Sequence, residues 1–300
     1  MTNQPPIADL AALLDVETLD RDLFRGPVKP GAAGRVFGGQ VVAQAFMAAQ
    51  RSIDDGKVAH SFHAYFLRPG SEAQPIIFRA ERDFDGGSFA NRRVIAMQKG
   101  VTLLSLTASF QQPELGLSHA AAMPSVPAPE TVSSIDDLAR RADVRLSDAA
   151  RAFLLQPSAF EMRPVGDFSY LQTSGGEPTG ALWFRLRAPA PADPALRRAI
   201  LAYVSDFSLL TTALIPHGRN MFDDPLQTAS LDHAVWFHSD VPLDDWLFYT
   251  TDSSWSGAGR GHARGAIFAR DGRLIAQTTQ EGLMRLRPDK APGTTIPHIP

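Results

Sequence analysis

The sequence of 300 residues contains no cysteine, which excludes disulfide bonds, cysteine nucleophiles and zinc sites built on thiolates. A chain without cysteine also suits a reducing compartment, so we expect a cytoplasmic location. Charged residues make up only 20% of the chain, and the formal net charge is -3. Proteins that bind nucleic acid usually carry a strongly basic domain or stripe, so this charge balance argues against a nucleic-acid partner.

Long apolar runs are also scarce. Residues 1–20 are polar and acidic, without the basic segment and apolar stretch of a secretory signal. The most apolar run, residues 199–215, is interrupted by Asp206 and by several hydroxyl residues. It falls short of the ~20 apolar residues that a membrane-spanning helix needs, so we expect no membrane span.

The second half of the chain repeats the organisation of the first. In each half an uncharged helical stretch (38–50 and 199–215) precedes an aromatic strand pattern (60–67 and 232–238) and further strands joined by tight turns. One of these turns is predicted at Lys99-Gly100. A helix that is apolar nearly all round is expected to be buried, and an antiparallel sheet wrapped around it would bury it. The sequence therefore predicts an α+β fold, a tandem double hot-dog in which each antiparallel sheet wraps around one long apolar helix.

These patterns divide the chain into four parts. The first hot-dog unit is predicted at 20–113 and the second at 159–287. Between them, 114–158 is a linker that begins rich in proline and alanine and contains a helix over 135–155, starting near Ser133 and Ser134. The last part, 288–300, is a proline-rich tail.

Several motifs occur in an order and spacing that resemble the type II acyl-CoA thioesterases. They are FGGQVVAQA, HSFHAYFLRPG, DFDGGSFANRRV and SFQ in the first half, and SDFSLLTTALIPHG, QTASLDHAVWFH and TTQEGLMR in the second. The resemblance implies a double hot-dog fold and hydrolysis of medium- to long-chain fatty acyl-CoA without a metal or an organic cofactor. It also implies a homo-oligomer, a dimer or a tetramer.

By the same resemblance, Asp206, Ser230 and Gln280 hold the attacking water, with Ser230 where relatives often have threonine. Asp206 also stands out by itself, because it is the only charged residue between 199 and 215. A buried carboxylate needs compensating donors, and a well-placed one can act as a general base. A purely structural carboxylate that caps the helix is the alternative. Sequence alone also leaves open whether Asp206 acts as base or as nucleophile.

Substrate contacts are predicted at two further places. The start of the first helix, with Gly39 and Gln40, could offer backbone N–H groups to an oxyanion, although glycines there could equally serve close packing. Arg92 and Arg93 could bind the CoA phosphates, because guanidinium groups match phosphate oxygens well; arginines that only face solvent are the alternative.

We expect one site per chain, because Ala108 aligns with Gln280 and the first helix has no acidic residue. Two other functions remain open: a hot-dog enoyl-CoA hydratase, which would need an Asp and His pair, and a non-catalytic module that binds acyl-CoA. Asp232 and His233 are adjacent, but neighbouring strand residues point to opposite faces, so we do not expect a catalytic pair there.

Overall fold

The computed structural model describes residues 6–28, 34–144, 146–166, 175–220 and 226–287, so the predicted tail at 288–300 lies outside the described residues. Within these ranges the N-terminal half comprises α1 Pro6–Leu14, β1 Glu17–Asp20, β2 Leu23–Gly26, α2 Gly38–Arg51, β3 Val58–Phe66, β4 Ile76–Asp85, β5 Phe89–Gln98 and β6 Val101–Gln111.

The segment between the halves contains a 3-10 turn at Pro129–Thr131 and two short helices, α3 Ile135–Arg140 and α4 Asp148–Leu154. The described part of the C-terminal half comprises β7 Phe160–Pro164, β8 Thr179–Leu186, α5 Pro194–Ser205, α6 Leu209–Thr212, a 3-10 turn at Ile215–His217, β9 Leu226–Ser230, β10 Asp232–Phe237, β11 Leu247–Gly257, β12 Arg260–Ala269 and β13 Leu274–Leu286.

The described strands join into one antiparallel sheet. Its order is β1-β2-β4-β5-β6-β3-β10-β13-β12-β11-β8-β7, with β9 paired to β13 beside this path. β3 and β10 pair at the centre, with Phe62 opposite Val235, so the sheets of the two halves are continuous. This edge-to-edge junction brings the two repeats together and places β9, β10 and β13 next to the first half.

Helix α2 is buried over residues 39–49 and packs against α5 and against the strands of its own half. Its Phe46 ring lies 5.0 Å from that of Phe62 and stacks at 5.3 Å on that of Phe237. These rings come from α2, β3 and β10, so the two halves share one apolar core. The burial of an apolar helix against a sheet agrees with the sequence prediction.

The predicted single helix at 199–215 is wrong in its bounds. The structure has α5, α6 and a 3-10 turn instead, with Asp206 capping the C-terminus of α5. Ser208 lies in the left-handed region at φ 67°, a conformation that no helix interior permits, and so the chain changes direction there. After the break, α6 packs against β11, β12 and β13.

By length and composition alone, the stretch Pro194–His217 could cross a membrane, but 83% of that window is buried inside the protein. It includes the break at Asp206 and Ser208. Its apolar residues therefore serve the core in this structure.

The linker helix is also shorter than predicted. Two helices replace the expected one over 135–155, because each has its own serine cap: Ser134 accepts from the N–H of Asp137 at 3.1 Å, and Ser147 from that of Ala150 at 3.2 Å. Farther upstream the linker lies on the sheet of the second half, where the Trp183 indole N–H donates to the carbonyl of Pro127 at 2.9 Å.

The tight turn predicted at Lys99-Gly100 is present between β5 and β6. Lys99 and Gly100 have φ values of 50° and 76°, the pattern of a turn with both central residues left-handed. This turn sets the register of the hairpin, in which Arg92 lies opposite Ala108.

Candidate active site

Asp206 stands at the C-terminal end of α5 and is half-buried. A helix ends in a partial negative charge, so an anionic side chain there is unfavourable unless other groups stabilise it. The residues before it, including Val204 and Ser205, are buried in the core, which fixes where the helix ends. The position of Asp206 therefore requires hydrogen-bond donors from neighbouring elements.

Two strands supply those donors. Ser230 is the last residue of β9 and pairs with Gly282 of β13, while Gln280 of β13 lies opposite Ala263 of β12 and is 1% exposed. The link from β9 to β10 is held by the N–H of Leu231, which donates to the carbonyl of Glu281 at 2.9 Å. This pairing places Ser230 and Gln280 beside the end of α5.

The three side chains predicted as catalytic contact one another. Gln280 Nε2 donates to Asp206 Oδ1 at 2.5 Å and to Ser230 Oγ at 3.1 Å, and Ser230 Oγ donates to the same Oδ1 at 3.4 Å. One carboxylate oxygen is thus held by two donors. The structure brings together residues that are 24 to 74 positions apart in sequence; their catalytic roles stay a prediction.

The other carboxylate oxygen reaches the N-terminus of α2. A Cβ built on Gly38 would lie 2.9 Å from Asp206 Oδ2 and 3.3 Å from a ring carbon of Phe66. The first N–H groups of a helix have no partner within it, and a helix N-terminus carries a partial positive charge. At this end of α2 the N–H of Gln40 already donates to the carbonyl of Phe37 at 3.1 Å, so Gly38 and Gly39 supply the candidate donors. Oδ2 of the carboxylate therefore lies close to the N-terminus of α2.

Gly39 and Gln40 have different surroundings from Gly38. A Cβ on Gly39 would lie 2.4 Å from the carbonyl oxygen of Tyr203, so this glycine permits the close approach of α2 and α5. Gln40 is 7% exposed and borders a narrow cleft together with Val36 and Glu72. The packing interpretation therefore holds at Gly39, whereas contact of Gly39 or Gln40 with substrate stays a prediction.

The assignment of Arg92 to phosphate binding is wrong in this structure. Its side chain is 1% exposed, Nη2 pairs with Asp85 at 2.6 Å, and Nε and Nη2 donate to the hydroxyl and the carbonyl of Ser52 at 3.1 and 3.3 Å. A buried guanidinium with these partners is not accessible to a CoA phosphate. Successive side chains of β5 point to opposite faces, but the sequence alone does not show that the face with Arg92 is the buried one.

Arg93 lies on the opposite face and is 43% exposed. It pairs with Glu81 and, at 3.3 Å through Nε, with Asp83. These carboxylates compete with any phosphate for the guanidinium. Binding of CoA by Arg93 stays a prediction.

The described residues of the two halves differ at corresponding strand pairs. Where the second half pairs Ala263 with Gln280, the first pairs Arg92 with Ala108. In the second half the glutamine reaches the carboxylate at the end of α5; in the first, the arginine reaches Ser52 at the end of α2. A guanidinium thus lies beside the end of α2, whereas Gln280 and Ser230 lie beside Asp206 at the end of α5.

His233 and Asp232 do not form a pair, as expected for neighbours on a strand. Asp232 Oδ1 accepts from the N–H of Glu281 at 2.6 Å, whereas His233 is fully buried with Nε2 at 2.9 Å from Ser205 Oγ. Burial lowers the pKa of His233 below its ordinary value, and the negative charge of Asp206 offsets part of that effect. Sequence reasoning did not single out Ser205 or the buried Tyr249, because hydroxyl residues carry no signal until their partners are known.

Both halves of the chain match models of known protein families. The family model described as acyl-CoA thioesterase matches residues 159–283, and the model described as acyl-CoA thioesterase N-terminal domain matches residues 27–111. Acyl-CoA thioesterase 2 of Haemophilus influenzae is 37% identical over 281 residues, covering 92% of this chain and 97% of that protein. The first of these ranges, 159–283, spans Asp206, Ser230 and Gln280.

Solved structures of similar proteins have the same fold. The crystal structure of the acyl-CoA thioesterase II TesB2 from Mycobacterium marinum has a TM-score of 0.76 and 37% identity, covering 93% of this chain and 98% of that one. A protein of unknown function with a hot dog fold from Alicyclobacillus acidocaldarius has a TM-score of 0.73 at 21% identity, covering 92% and 97%, and supports the fold alone. The chain therefore belongs to the acyl-CoA thioesterase family, and its two halves form a double hot-dog fold.

Proposed function

We propose that this chain hydrolyses fatty acyl-CoA thioesters to a free fatty acid and CoA, and that Asp206, Ser230 and Gln280 activate the attacking water. One observation carries the proposal: Oδ1 of Asp206 is held by two side-chain donors, while Oδ2 faces the N-terminus of α2. A base and a set of oxyanion donors thus lie next to each other, which is the arrangement that acyl transfer to water requires.

In the proposed reaction, the Asp206 carboxylate accepts a proton from water as its oxygen attacks the thioester carbonyl carbon. The tetrahedral oxyanion is stabilised by backbone N–H groups at the start of α2, each worth ~3 to 4 kcal/mol by analogy with other oxyanion sites. The C–S bond then breaks, and the CoA thiolate takes up the proton that Asp206 received. Ser230 and Gln280 keep the carboxylate oriented throughout.

Direct attack by Asp206 is the other route, through a mixed anhydride that water later hydrolyses. We favour the base, because two donors on Oδ1 fix the orientation of the carboxylate toward a bound water. Repeated turnover in ¹⁸O-labelled water tests the anhydride route: isotope in the peptide that carries Asp206 would establish the nucleophile.

The decisive test is release of free thiol from acyl-CoAs of increasing chain length by the wild type, Asp206→Asn and Asp240→Asn. General bases contribute about 10²- to 10⁴-fold, so Asp206→Asn should lose at least a hundredfold in kcat. Asp240 is a matched control, because its side chain is 93% exposed and lies on the surface. Equal activity of all three proteins would refute the role of Asp206.

Two outcomes would favour the alternatives. Binding of acyl-CoA by the wild type without thiol release would indicate a non-catalytic binding module. Addition of water to an enoyl-CoA would indicate a hydratase, but His233, which interacts electrostatically with Asp206, is already engaged with Ser205 through Nε2.

We further propose a homo-oligomer, a dimer or a tetramer, located in the cytoplasm. The absence of cysteine supports the location. Support for assembly comes from Tyr65, which is 63% exposed on β3 next to the central junction of the sheet, since exposed aromatic residues are enriched at subunit interfaces. Light scattering after size exclusion measures the oligomer, and cell fractionation measures the location.

A further inference from the structure

Ser205, the residue immediately before Asp206, is held from two sides. It is fully buried at the last position of α5. Its backbone carbonyl accepts a hydrogen bond from Tyr249 Oη at 3.0 Å, and its hydroxyl lies 2.9 Å from His233 Nε2. The final carbonyls of a helix have no partner within the helix, so contacts of this kind determine where the helix ends.

The direction of the histidine contact follows from the proton count. Ser205 Oγ donates its single hydrogen to the carbonyl of Ala202 at 3.0 Å. It can therefore only accept from His233, and Nε2 must carry the proton. Nδ1 is then an acceptor, and it is buried without a partner among the described residues. Keeping an unpaired acceptor in the core costs stability, which indicates that the contact with Ser205 has a use.

Tyr249 is fixed in the same way. Its hydroxyl gives its hydrogen to Ser205 and lies 2.9 Å from Thr278 Oγ1, which must then donate to it. Gly265 on the neighbouring strand makes room, because a Cβ there would lie 2.4 Å from the tyrosine ring. These contacts fix the position of the Tyr249 ring and direct its hydroxyl hydrogen to the carbonyl of Ser205.

We propose that Tyr249 and His233 are positioning residues that act through Ser205 to fix the Asp206 carboxylate. Strands β10 and β11 hold the end of the helix, while Ser230 and Gln280 hold the carboxylate that follows it. Loss of either anchor lets the carboxylate swing away from the attacking water without removing any group that touches substrate. This inference rests on the proposed hydrolysis.

Tyr249→Phe tests the first anchor, because it removes one hydroxyl and keeps the ring. We expect kcat to fall about tenfold, as the loss of one hydrogen bond corresponds to about 1.4 kcal/mol, with KM unchanged. Thr251→Val is the matched control: Thr251 is buried on the same face of β11 and its Oγ1 lies 2.8 Å from that of Thr212, so the variant also loses a buried hydroxyl but leaves Ser205 untouched. Its kcat should stay within twofold of wild type.

The second anchor is tested with His233→Phe, His233→Gln and Ser205→Ala. His233→Phe should lower kcat, and His233→Gln should recover most of it, because the glutamine amide can place a donor near the position of Nε2. If histidine acts through the serine, the double variant Ser205→Ala with His233→Phe should be no slower than either single variant. Thermal unfolding of each variant shows whether it is folded at the assay temperature.

Three results would overturn the positioning role of Tyr249 and His233: additive losses of kcat in the double variant, equal losses in Tyr249→Phe and Thr251→Val, or an unchanged kcat in Tyr249→Phe. If the wild type still releases thiol, the proposed function stands in each of these cases. Wild type without thiol release on any acyl-CoA would remove the proposed function, and the anchor with it.

Discussion

Replacement of Gly38 and of Gly39 by alanine should affect stability and activity to different extents. Both begin α2, and replacement by alanine keeps the backbone N–H of each. A methyl group on Gly39 would meet a backbone carbonyl, that of Tyr203, at 2.4 Å, whereas a methyl group on Gly38 would meet a side-chain oxygen, Oδ2 of Asp206, at 2.9 Å. The two variants should therefore fail in different ways.

For Gly39→Ala, the carbonyl of Tyr203 must retreat by about an ångström to restore van der Waals contact. Overpacking of this kind costs about 1 to 3 kcal/mol, against a gain of at most about 1 kcal/mol from the helix preference of alanine. We expect the free energy of unfolding to fall by about 1 to 2 kcal/mol, measured as an earlier midpoint in urea. Because α5 moves, kcat should fall as well.

For Gly38→Ala, a small rotation of the Asp206 carboxylate moves Oδ2 away from the methyl group while Oδ1 keeps its donors Gln280 and Ser230, so stability should stay within about 0.5 kcal/mol of wild type. The shift of Oδ2 away from the start of α2 should lower kcat more than tenfold. A Gly38→Ala protein with full activity, or a Gly39→Ala protein more stable than wild type, would refute this account of the glycines.

Four further predictions follow from the described contacts. Arg92→Met should lower the free energy of unfolding by about 2 to 3 kcal/mol in urea because it leaves Ser52 without its buried donor, whereas Arg93→Met, on the exposed face, should change it by less than about 1 kcal/mol; equal effects would contradict the burial of Arg92. Because the folded-state pKa of His233 lies below its ordinary 6.5, the unfolded chain binds the proton more readily, so stability present above pH 6.5 should decline as pH falls, and less so in His233→Gln; parallel urea midpoints against pH would refute this. Gly100→Ala should cost about 1 kcal/mol in thermal unfolding, since φ is 76° there, and no loss would argue against the turn geometry. Ser230→Ala should lower kcat about tenfold and Ser230→Thr should keep it, because threonine retains the hydroxyl that donates to Asp206; equal rates in a thiol-release assay would exclude a role for that hydroxyl.

Local sequence patterns predicted correctly those features that depend on a single helix or turn. The apolar stretch from Gly38 predicts a buried helix because no polar face is available for solvent, and α2 is buried accordingly. Lys99-Gly100 predicts a hairpin because that backbone conformation depends mainly on the two residues themselves. The repeat of helix and strands likewise predicts two similar units.

Tertiary structure decided what depends on distant partners. The apolar stretch around Asp206 has a helical composition throughout, yet it breaks at Ser208, because α6 packs on a different part of the sheet from α5. Arg92 has the residue type of a phosphate ligand, but its pairing with Ala108 turns it into the core.

At the candidate site, too, the sequence indicates the residue types and the tertiary structure determines their contacts. The sequence by itself marks Asp206 as an isolated charge, and the family resemblance adds Ser230 and Gln280, but neither contains the distances between them. Those distances depend on the pairing of β9 with β13 and on the end of α5. Residue types determine which chemistry is possible, whereas strand register and helix ends determine which side chains meet, because hydrogen bonds act only over about 3 Å.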